Sequence, residues 1–310
     1  MIKEPLISVL MPAYNAELYI KDAIESILSQ SYKKFELLIY DDGSTDDTRK
    51  IIDKYSDERI VKVYADKNSG VVVARNTLID RAQGAYIALM DADDIAHPMR
   101  LEKQIKYLLS NPVDLCGSSQ WNLNQLTGRL KASKDSYLDA DLRSLLVAYC
   151  SICNSTIMGR SEIFKKFKYS LSVPMAEDYY LWCQMAAADY KFANLKDRLL
   201  TYRQYPEQSS SKYAYEFQQS TSRIQKNYLD LLGIPIKFRP VYCSLKIRMY
   251  RAINLLIYLN KRFPGMTFLA STQIYSRFQL KNNRWCRPFQ KIERFFIVGL
   301  VYIYFLLDSK

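Results

Sequence analysis

The first ninety or so residues alternate between short apolar runs and longer segments whose apolar positions repeat with helical spacing. The apolar runs are typical of buried strands and cover residues 6–10, 35–42, 59–65 and 85–90. The intervening segments predict helices and cover residues 15–30, 44–55 and 70–82. Strand and helix in strict alternation indicate an α/β fold, in which a mostly parallel sheet is flanked by helices on both faces.

After residue 212 the alternation gives way to long amphipathic segments. Residues 213–233 and 244–263 predict helices, the first ended by Gly233 and the second by Pro264. Residues 281–294 are cationic, and residues 295–307 carry no charge. A helix over that last segment measures roughly 20 Å, short of the ~30 Å of a bilayer's hydrocarbon core. We therefore expect a helical C-terminal extension that ends in an interfacial segment.

Polar, mostly acidic segments follow the predicted strands. They read PAYN (12–15), DDGSTDD (41–47), DKNSG (66–70) and DADD (91–94). Ligands of such sheets bind outside the carboxyl ends of the strands, so these segments predict the active site. The chain has no G-x-G and no GxxxxGK[ST], which excludes the common dinucleotide and P-loop signatures. An acidic site binds a phosphorylated ligand through a divalent cation, and carboxylates suit Mg²⁺ or Mn²⁺.

The positive charge is concentrated in the C-terminal third. The net charge is +12, and residues 211–310 hold 17 Lys and Arg against four Asp and Glu. A basic region beside an apolar segment favours binding to an anionic membrane surface. The alternative is a helical subdomain that packs on the N-terminal part or on a second subunit. We expect no nucleic-acid partner, because no recognised binding motif is present and the predicted site is acidic.

The N-terminus and the cysteines indicate a cytoplasmic protein. Residues 1–12 lack the length of a cleavable signal and include Glu4 and Pro5. The six cysteines are scattered, and the single CxxC pair, Cys150 and Cys153, is a weak metal or redox signal. We expect the cysteines to be reduced.

Four segments in order resemble the family 2 glycosyltransferases that have the GT-A fold. They cover residues 7–48, 68–101, 176–186 and 201–211, and the first two, with PAYN, DDGSTDD and DADD, are specific in combination. The third contains AEDYYLW, and the fourth is the weakest. The resemblance spans roughly residues 5–210, so it implies a GT-A catalytic domain over residues 1–211. Residues 212–310 would then form the basic, membrane-associating region.

The resemblance implies a set of nucleotide-sugar contacts. Pro12, Ala13 and Tyr14 would line the pocket for the base, and the Asp42 carboxylate would accept a hydrogen bond from it. The alternative is that Asp41 and Asp42 only place charge at a turn and a helix start. Arg75 would lie near the base or the diphosphate, or else be a surface charge.

The acids of DADD and AEDYYLW carry the implied chemistry. Asp91 would contact the ribose or the metal, Asp93 would bind Mn²⁺ or Mg²⁺ with the donor phosphates, and Asp94 would support them or cap the next segment. Asp178 would be the catalytic base, with Glu177 supporting it or touching the acceptor. The alternative for that pair is two first-turn acids favoured by a helix dipole.

One position departs from the family pattern. The fourth segment often carries a histidine that reaches the metal or diphosphate, and Tyr205 occupies the matching position here. Arg203 is a candidate to replace that contact. His97, the only histidine, lies just after the acids and is more typical of a structural role.

These implications describe an inverting, metal-dependent hexosyltransferase. It would transfer a hexose or N-acetylhexosamine from a nucleotide sugar, with UDP expected, to a lipid-linked oligosaccharide in O-antigen, capsule or other cell-surface polysaccharide synthesis. It would be peripheral on the inner face of the plasma membrane, and homo-oligomerisation stays open. The alternatives are a metal-dependent nucleotidyltransferase and a non-catalytic membrane scaffold with a degenerate sugar-nucleotide site.

Overall fold

The chain forms two compact units. The computed structural model describes residues 4–133, 137–173, 175–208, 213–235, 237, 245–279 and 298–299. Met1–Asp135 and Ile152–Ser220 make up the first unit, and Ser136–Ser151 and Thr221–Lys310 the second. The functional division expected at residue 211 stays a prediction.

A nine-stranded sheet organises the first unit. The strands are β1 Ile7–Ala13, β2 Phe35–Asp41, β3 Ile60–Tyr64, β4 Tyr86–Leu89, β5 Ile95–Ala96, β6 Leu115–Asn124, β7 Leu130–Ala132, β8 Met158–Arg160 and β9 Phe192–Gln204. Their order is β3-β2-β1-β4-β8-β6-β9-β5, with β7 paired to β6. The predicted α/β architecture is confirmed, and all four strands expected from the apolar runs are present.

The helices of the first unit follow or cover these strands. They are α1 Ile20–Leu28, α2 Thr48–Asp53, α3 Val71–Arg81, α4 Arg100–Ser110, α6 Ser161–Lys166 and α7 Glu177–Ala187, with a 3₁₀ turn at Asn154–Thr156. α1 is amphipathic, and Ile20, Ile24 and Ile27 of its apolar face have no exposed surface. They join a core with alternate residues of β1 and β2, which explains why the 3.6-residue period in the sequence predicted this helix.

The sheet is parallel in its N-terminal part and mixed beyond it. β1 pairs in parallel with β2 and β4, and β2 with β3. β8 runs antiparallel to both β4 and β6, while β6 and β9 are parallel to each other. β8 comes directly after the short 3₁₀ turn at Asn154–Thr156. The expected parallel arrangement therefore holds throughout β1–β4, and the remaining strands combine the parallel pair β6–β9 with antiparallel pairs.

The carboxyl ends of the parallel strands meet at one edge of the sheet. The backbone N–H of Asp42, just after β2, donates to the carbonyl of Ala13 at the end of β1 over 2.8 Å. The N–H of Met90, just after β4, donates to the carbonyl of Leu10 over 3.0 Å. The segments PAYN, DDGSTDD and DADD are thus neighbours in space, as the sequence predicted.

The second unit is helical. Its helices include α5 Asp139–Leu145, α8 Ala214–Leu231, α9 Leu245–Arg262 and α10 Phe268–Gln279, of which α8 begins within the first unit. The Asp141 carboxylate accepts hydrogen bonds from the N–H and hydroxyl of Thr267 at 2.6 and 2.7 Å. The hydroxyl of Tyr228 donates to the carbonyl of Arg143 over 3.0 Å. These contacts tie α5 to the C-terminal helices.

Two expectations concern the C-terminal segments and the cysteines. The cationic stretch 281–294 and most of the apolar stretch 295–307 lie outside the described residues. Within the described helices, none combines the length and apolar character that a membrane crossing needs. In the described ranges the cysteines are free thiols: Cys116, Cys150, Cys153 and Cys183.

Candidate active site

Asp91 is the first acid after β4 and has two side-chain partners. Its Oδ1 accepts from Nη2 of Arg75 at 3.0 Å, and its Oδ2 accepts from the hydroxyl of Ser155 in the 3₁₀ turn. The turn continues with the N–H of Asp94 donating to the carbonyl of Asp91 over 3.3 Å. These bonds fix the Asp91 carboxylate at the carboxyl edge of the sheet.

Asp93 and Asp94 are held on the other side of this turn by the end of β9. The hydroxyl of Tyr205 donates to Oδ2 of Asp93 over 2.9 Å, and the N–H of Arg203 donates to Oδ1 of Asp94 over 3.1 Å. Burial and the charge of Asp91 raise the pKa of Asp93 to about 6. Burial and both neighbouring acids raise the pKa of Asp94 well above its usual value. Such a cluster is completed by positive charge.

Arg75, on α3, connects the acids of β4 to the start of α7. Its Nη1 lies 2.5 Å from Oε1 of Glu177, and its guanidinium lies 5.2 Å from the ring centre of Tyr169. Burial acts to lower the pKa of Arg75, but the carboxylates of Asp91 and Glu177 outweigh it and raise the pKa. Arg75 is 8% exposed, so the alternative of a surface charge is wrong. The structure brings it into contact with the acids; its role at the base or diphosphate stays a prediction.

Asp178 lies in the first turn of α7. Its Oδ1 accepts from the backbone N–H of Tyr179 over 2.6 Å. Burial, followed by the adjacent charge of Glu177, raises the pKa of Asp178 to about 7, and Arg75 partly opposes this. A carboxylate with a pKa near neutrality can take up a proton during a reaction at physiological pH. Glu177 and Asp178 both lie in the first turn of α7, as the helix-dipole alternative expects, and the role of Asp178 as catalytic base stays a prediction.

Asp42 binds backbone groups at the start of α3. Its two carboxylate oxygens accept from the N–H groups of Ser69 and Gly70, each at 2.8 Å. Gly70 has φ +90°, a conformation that L side chains rarely adopt, so glycine is required at this turn. Asp42 therefore binds the start of α3, whereas the sequence alternative placed it at the start of the helix that follows its own loop, α2. Contact of Asp42 with a base stays a prediction.

The predicted base pocket lies beside Asp42. Ala13 is buried, Pro12 is half-buried and Tyr14 is 47% exposed. The next residue, Asn15, accepts from the N–H of Thr45 at 2.9 Å and so joins the loop after β1 to the loop after β2. The three candidates are thus grouped at the edge of the sheet, with an exposed aromatic ring available for stacking.

Arg203 and Tyr205 form a cluster with two residues near the start of α1. Nη2 of Arg203 lies 2.6 Å from Oδ2 of Asp22, and its guanidinium lies 5.0 Å from the ring centre of Tyr19. The rings of Tyr19 and Tyr205 are 4.9 Å apart. Tyr205 therefore reaches Asp93 through its hydroxyl, where the family pattern often has histidine. His97 is exposed, and its Nδ1 accepts from the N–H of Met99, a structural contact.

The acids at the end of β4 fit a divalent cation. Asp91 and Asp93 are close enough for the charge of one to raise the pKa of the other. In the described ranges no group of three or more His, Cys, Asp or Glu residues is arranged to hold a metal. A cation here would take one or two carboxylates and complete its shell with phosphate oxygens and water, the usual mode for Mg²⁺.

Two contributors to the site escaped the sequence analysis. Ser155 binds Asp91, and Tyr169 lies against the guanidinium of Arg75 while its hydroxyl donates to Oδ1 of Asn154 over 2.9 Å. Neither residue belongs to a segment with a recognisable pattern. Only the folded chain brings them to Asp91 and Arg75, so no local signal could have identified them.

Comparison with known proteins identifies the family of the chain. The profile described as glycosyl transferase family 2 matches residues 8–167, which include DADD. An uncharacterised glycosyltransferase of Haemophilus influenzae is 32% identical over 256 residues, covering 75% of this chain and 77% of the relative. The Escherichia coli protein WfgD, named UDP-Glc:alpha-D-GlcNAc-diphosphoundecaprenol beta-1,3-glucosyltransferase, is 36% identical over 181 residues, or 57% of this chain and 68% of its own.

Solved structures show the same fold. Residues 1–349 of Staphylococcus aureus TarS, in complex with UDP-GlcNAc, superpose with a TM-score of 0.60 at 17% identity, covering 96% of this chain and 91% of that TarS fragment. The Pyrobaculum calidifontis mannosyltransferase PcManGT, in complex with GDP-Man and Mn²⁺, gives 0.56 at 17% identity, covering 100% and 89%. These likenesses confirm the predicted GT-A type of α/β fold. With the profile match over more than half of its length, the chain belongs to glycosyl transferase family 2.

Proposed function

We propose that the protein transfers a hexose or N-acetylhexosamine from a nucleotide sugar, UDP being expected, to a hydroxyl of a lipid-linked glycan, with inversion at the anomeric carbon. The product would enter O-antigen, capsule or another cell-surface polysaccharide. The name of WfgD, which includes a UDP sugar and a diphosphoundecaprenol acceptor, supports this class of substrates. The TarS complex with UDP-GlcNAc also supports a UDP sugar as donor.

The observation that carries the proposal is the network joining Asp178 to the acids of β4. Asp178 has a pKa of about 7, and its neighbour Glu177 is bound through Arg75 to Asp91. This network connects the proposed base to the proposed donor-binding acid through Glu177 and Arg75. A single base corresponds to direct displacement, in which an α-linked donor gives a β-linked product.

In this mechanism the acceptor hydroxyl attacks the anomeric carbon while Asp178 accepts its proton, and the nucleoside diphosphate leaves. Asp91 and Asp93 would hold Mn²⁺ or Mg²⁺, which stabilises the negative charge of the leaving diphosphate. Arg75 holds the side chains of Glu177 and Asp91 in position through its two ion pairs. Arg203 is an accessory candidate for the diphosphate, since its side chain is buried and its charge acts on Asp93.

Membership of a glycosyltransferase family argues against the nucleotidyltransferase alternative. The remaining alternative is a non-catalytic membrane scaffold. The raised pKa of Asp178 favours an enzyme over such a scaffold. We further propose a cytoplasmic enzyme, peripheral on the inner face of the plasma membrane through its C-terminal region. The excess of basic residues after residue 211 supports that location.

The decisive experiment measures binding and turnover of a panel of UDP, GDP and dTDP sugars with Mn²⁺ or Mg²⁺, comparing wild type with Asp93→Ala and Asp178→Asn. We expect Asp93→Ala to lose metal-dependent donor binding. We expect Asp178→Asn to bind donor and fail to transfer sugar. Metal-dependent binding that is unchanged in Asp93→Ala would remove the metal assignment, and full transfer by Asp178→Asn would remove the base.

A further inference from the structure

The hairpin formed by β6 and β7 presents an apolar face to solvent. Leu126 at its tip is 76% exposed, Leu130 is 54% exposed and Trp121 is 37% exposed. Leu123 pairs with Leu130 and Trp121 with Ala132 across the two strands, so all four side chains share one face. Among the strands of the described residues, β7 pairs with β6 alone, so no other described strand covers its outer edge. Solvent-facing apolar residues at a sheet edge are normally avoided, so this face calls for a partner.

The exposed leucine at the tip is held in an ordered turn. The Asn124 side chain accepts from both the N–H and the hydroxyl of Thr127 at 2.9 Å, and the N–H of Gly128 donates to the carbonyl of Asn124 over 2.8 Å. Gly128 has φ +66°, which completes the turn. Leu126 is therefore fixed in an outward position before any partner binds, which lowers the entropy cost of inserting it.

The hairpin is also basic. Lys131 lies opposite Asn122 on the other face of the strands, Arg129 follows the turn, and residues 115–133 contain no acid. The guanidinium of Arg198 on β9 lies over the ring of Trp121 at 4.7 Å from its centre. Apolar and aromatic side chains flanked by cations match the interface of an anionic bilayer, where apolar tips insert and cations contact the headgroups.

The hairpin is joined to the candidate active site. The N–H of Gln125, next to Leu126, donates to the carbonyl of Gln204 over 2.9 Å. Gln204 lies between Arg203, which binds Asp94, and Tyr205, which binds Asp93. β6 and β9 run parallel, so both of their carboxyl ends lie at the same edge as this site.

We propose that the β6–β7 hairpin is a membrane-docking element, through which the protein lies on an anionic lipid bilayer with Leu126 and Leu130 inserted among the headgroups. This surface lies in the first unit and is separate from the basic C-terminal region. The docking proposal does not depend on the proposed transfer reaction, because bilayer binding is measured without donor or acceptor. Docking there would bring the edge that carries Asp93 to the level of the headgroups.

The test is co-sedimentation of the full-length protein with phosphatidylcholine vesicles that contain about 30% phosphatidylglycerol. Leu126→Ser and Leu130→Ser are made singly and together, Arg129→Gln with Lys131→Gln removes the charge, and Leu109→Ser on α4 is the exposed-leucine control. We expect the double leucine variant to lose about tenfold in partitioning and the charge variant to bind with a weaker salt dependence than wild type. Leu109→Ser should bind like wild type. Thermal melts check that each variant is folded.

Three outcomes would overturn the proposal. They are wild-type protein that does not bind these vesicles, equal partitioning of wild type and the double leucine variant, and equal binding to vesicles of phosphatidylcholine alone. The second outcome would assign membrane binding to the C-terminal region. Size-exclusion chromatography tests whether the apolar face binds a second copy of the chain instead. That is the result if the leucine substitutions dissociate a dimer and leave vesicle binding unchanged.

Discussion

The guanidinium of Arg75 lies 2.5 Å from the carboxylate of Glu177, and the two side chains are only 9% and 10% exposed. The same guanidinium binds Asp91 at 3.0 Å. One cation thus connects α3, the end of β4 and the start of α7. A displacement of any of these elements would reach both the donor-binding acids and the candidate base.

Replacing Arg75 should therefore affect stability as well as activity. Arg75→Gln leaves Asp91 and Glu177 without their counter-charge, and we expect a loss of about 3–5 kcal/mol in the free energy of unfolding. The free energy of unfolding of Arg75→Lys should lie between those of Arg75→Gln and wild type, because an ammonium cannot bind both acids in the same geometry. Urea denaturation measures the effect, with Arg81→Gln, an exposed residue of the same helix, as the control. Equal midpoints for Arg75→Gln and wild type would contradict the bridging role.

The pH dependence of transfer should report Asp178. Its pKa of about 7 means that the carboxylate becomes the major form only above neutrality. We expect kcat/KM, measured with saturating metal, to rise about tenfold per pH unit up to about pH 7 and then to level off. Asp178→Asn should lose about 10²-fold or more of activity and this pH dependence. A wild-type profile that is flat between about pH 5 and about pH 8 would exclude Asp178 as the titrating base.

Asp178→Asn, which should lower activity, should raise the stability of the folded protein. Because the pKa of Asp178 is raised from 3.8 to about 7, the folded state holds this proton more tightly than the unfolded chain. Wild type then loses stability as the pH rises between these values, whereas Asn, which cannot ionise, does not. We expect Asp178→Asn to be more stable by about 1–2 kcal/mol above pH ~7, since partial solvent access reduces the full effect, and unchanged near pH ~4.

Thermal melts across this pH range measure the difference between the two proteins. Glu58→Gln, at an exposed position, is the matched control and should follow wild type at each pH. A destabilised Asp178→Asn variant at neutral pH would show that the ionised carboxylate is held favourably, against the raised pKa.

Asp42 should show a structural effect and a binding effect that can be separated. Asp42→Ala removes the acceptor for the N–H groups of Ser69 and Gly70, and we expect a loss of about 1–2 kcal/mol in unfolding free energy. If the Asp42 carboxylate also binds the uracil base of the donor, calorimetry should show weaker UDP binding by Asp42→Asn, which retains one acceptor oxygen. Asp47→Ala, on the same loop, is the control for both measurements. Unchanged UDP affinity in Asp42→Asn would limit Asp42 to its helix-start role.

The N-terminal elements could be predicted because their apolar positions repeat with a clear period. β1, β2 and α1 bury one or both faces in a single core, so burial leaves its pattern directly in the sequence. β5, with two residues, and β8, with three, are too short to carry a period. The antiparallel pairs of β8 follow from the path of the chain after the 3₁₀ turn, which no local pattern encodes.

The sequence analysis identified the acids of the candidate site but not the residues that hold them in place. Asp91, Asp93 and Asp178 belong to recognisable segments, whereas the burial of Arg75 depends on α7 and Tyr169, which are distant in sequence. An arginine in an amphipathic helix looks the same whether it faces solvent or acids. The hydrogen bond from Tyr205 to Asp93 was equally invisible, because the sequence shows only that a histidine is replaced.

The placement of α5 has a consequence for how the protein can be divided. Asp139–Leu145 precedes β8 in the chain, yet it belongs to the second unit, where Asp141 binds Thr267 and the carbonyl of Arg143 binds Tyr228. A protein truncated after residue 211 would lack Thr267 and Tyr228, and the apolar side of α5 would be uncovered. Excising the glycosyltransferase part as a minimal soluble fragment would thus require α5 to be redesigned, or the C-terminal helices to be supplied as a second polypeptide.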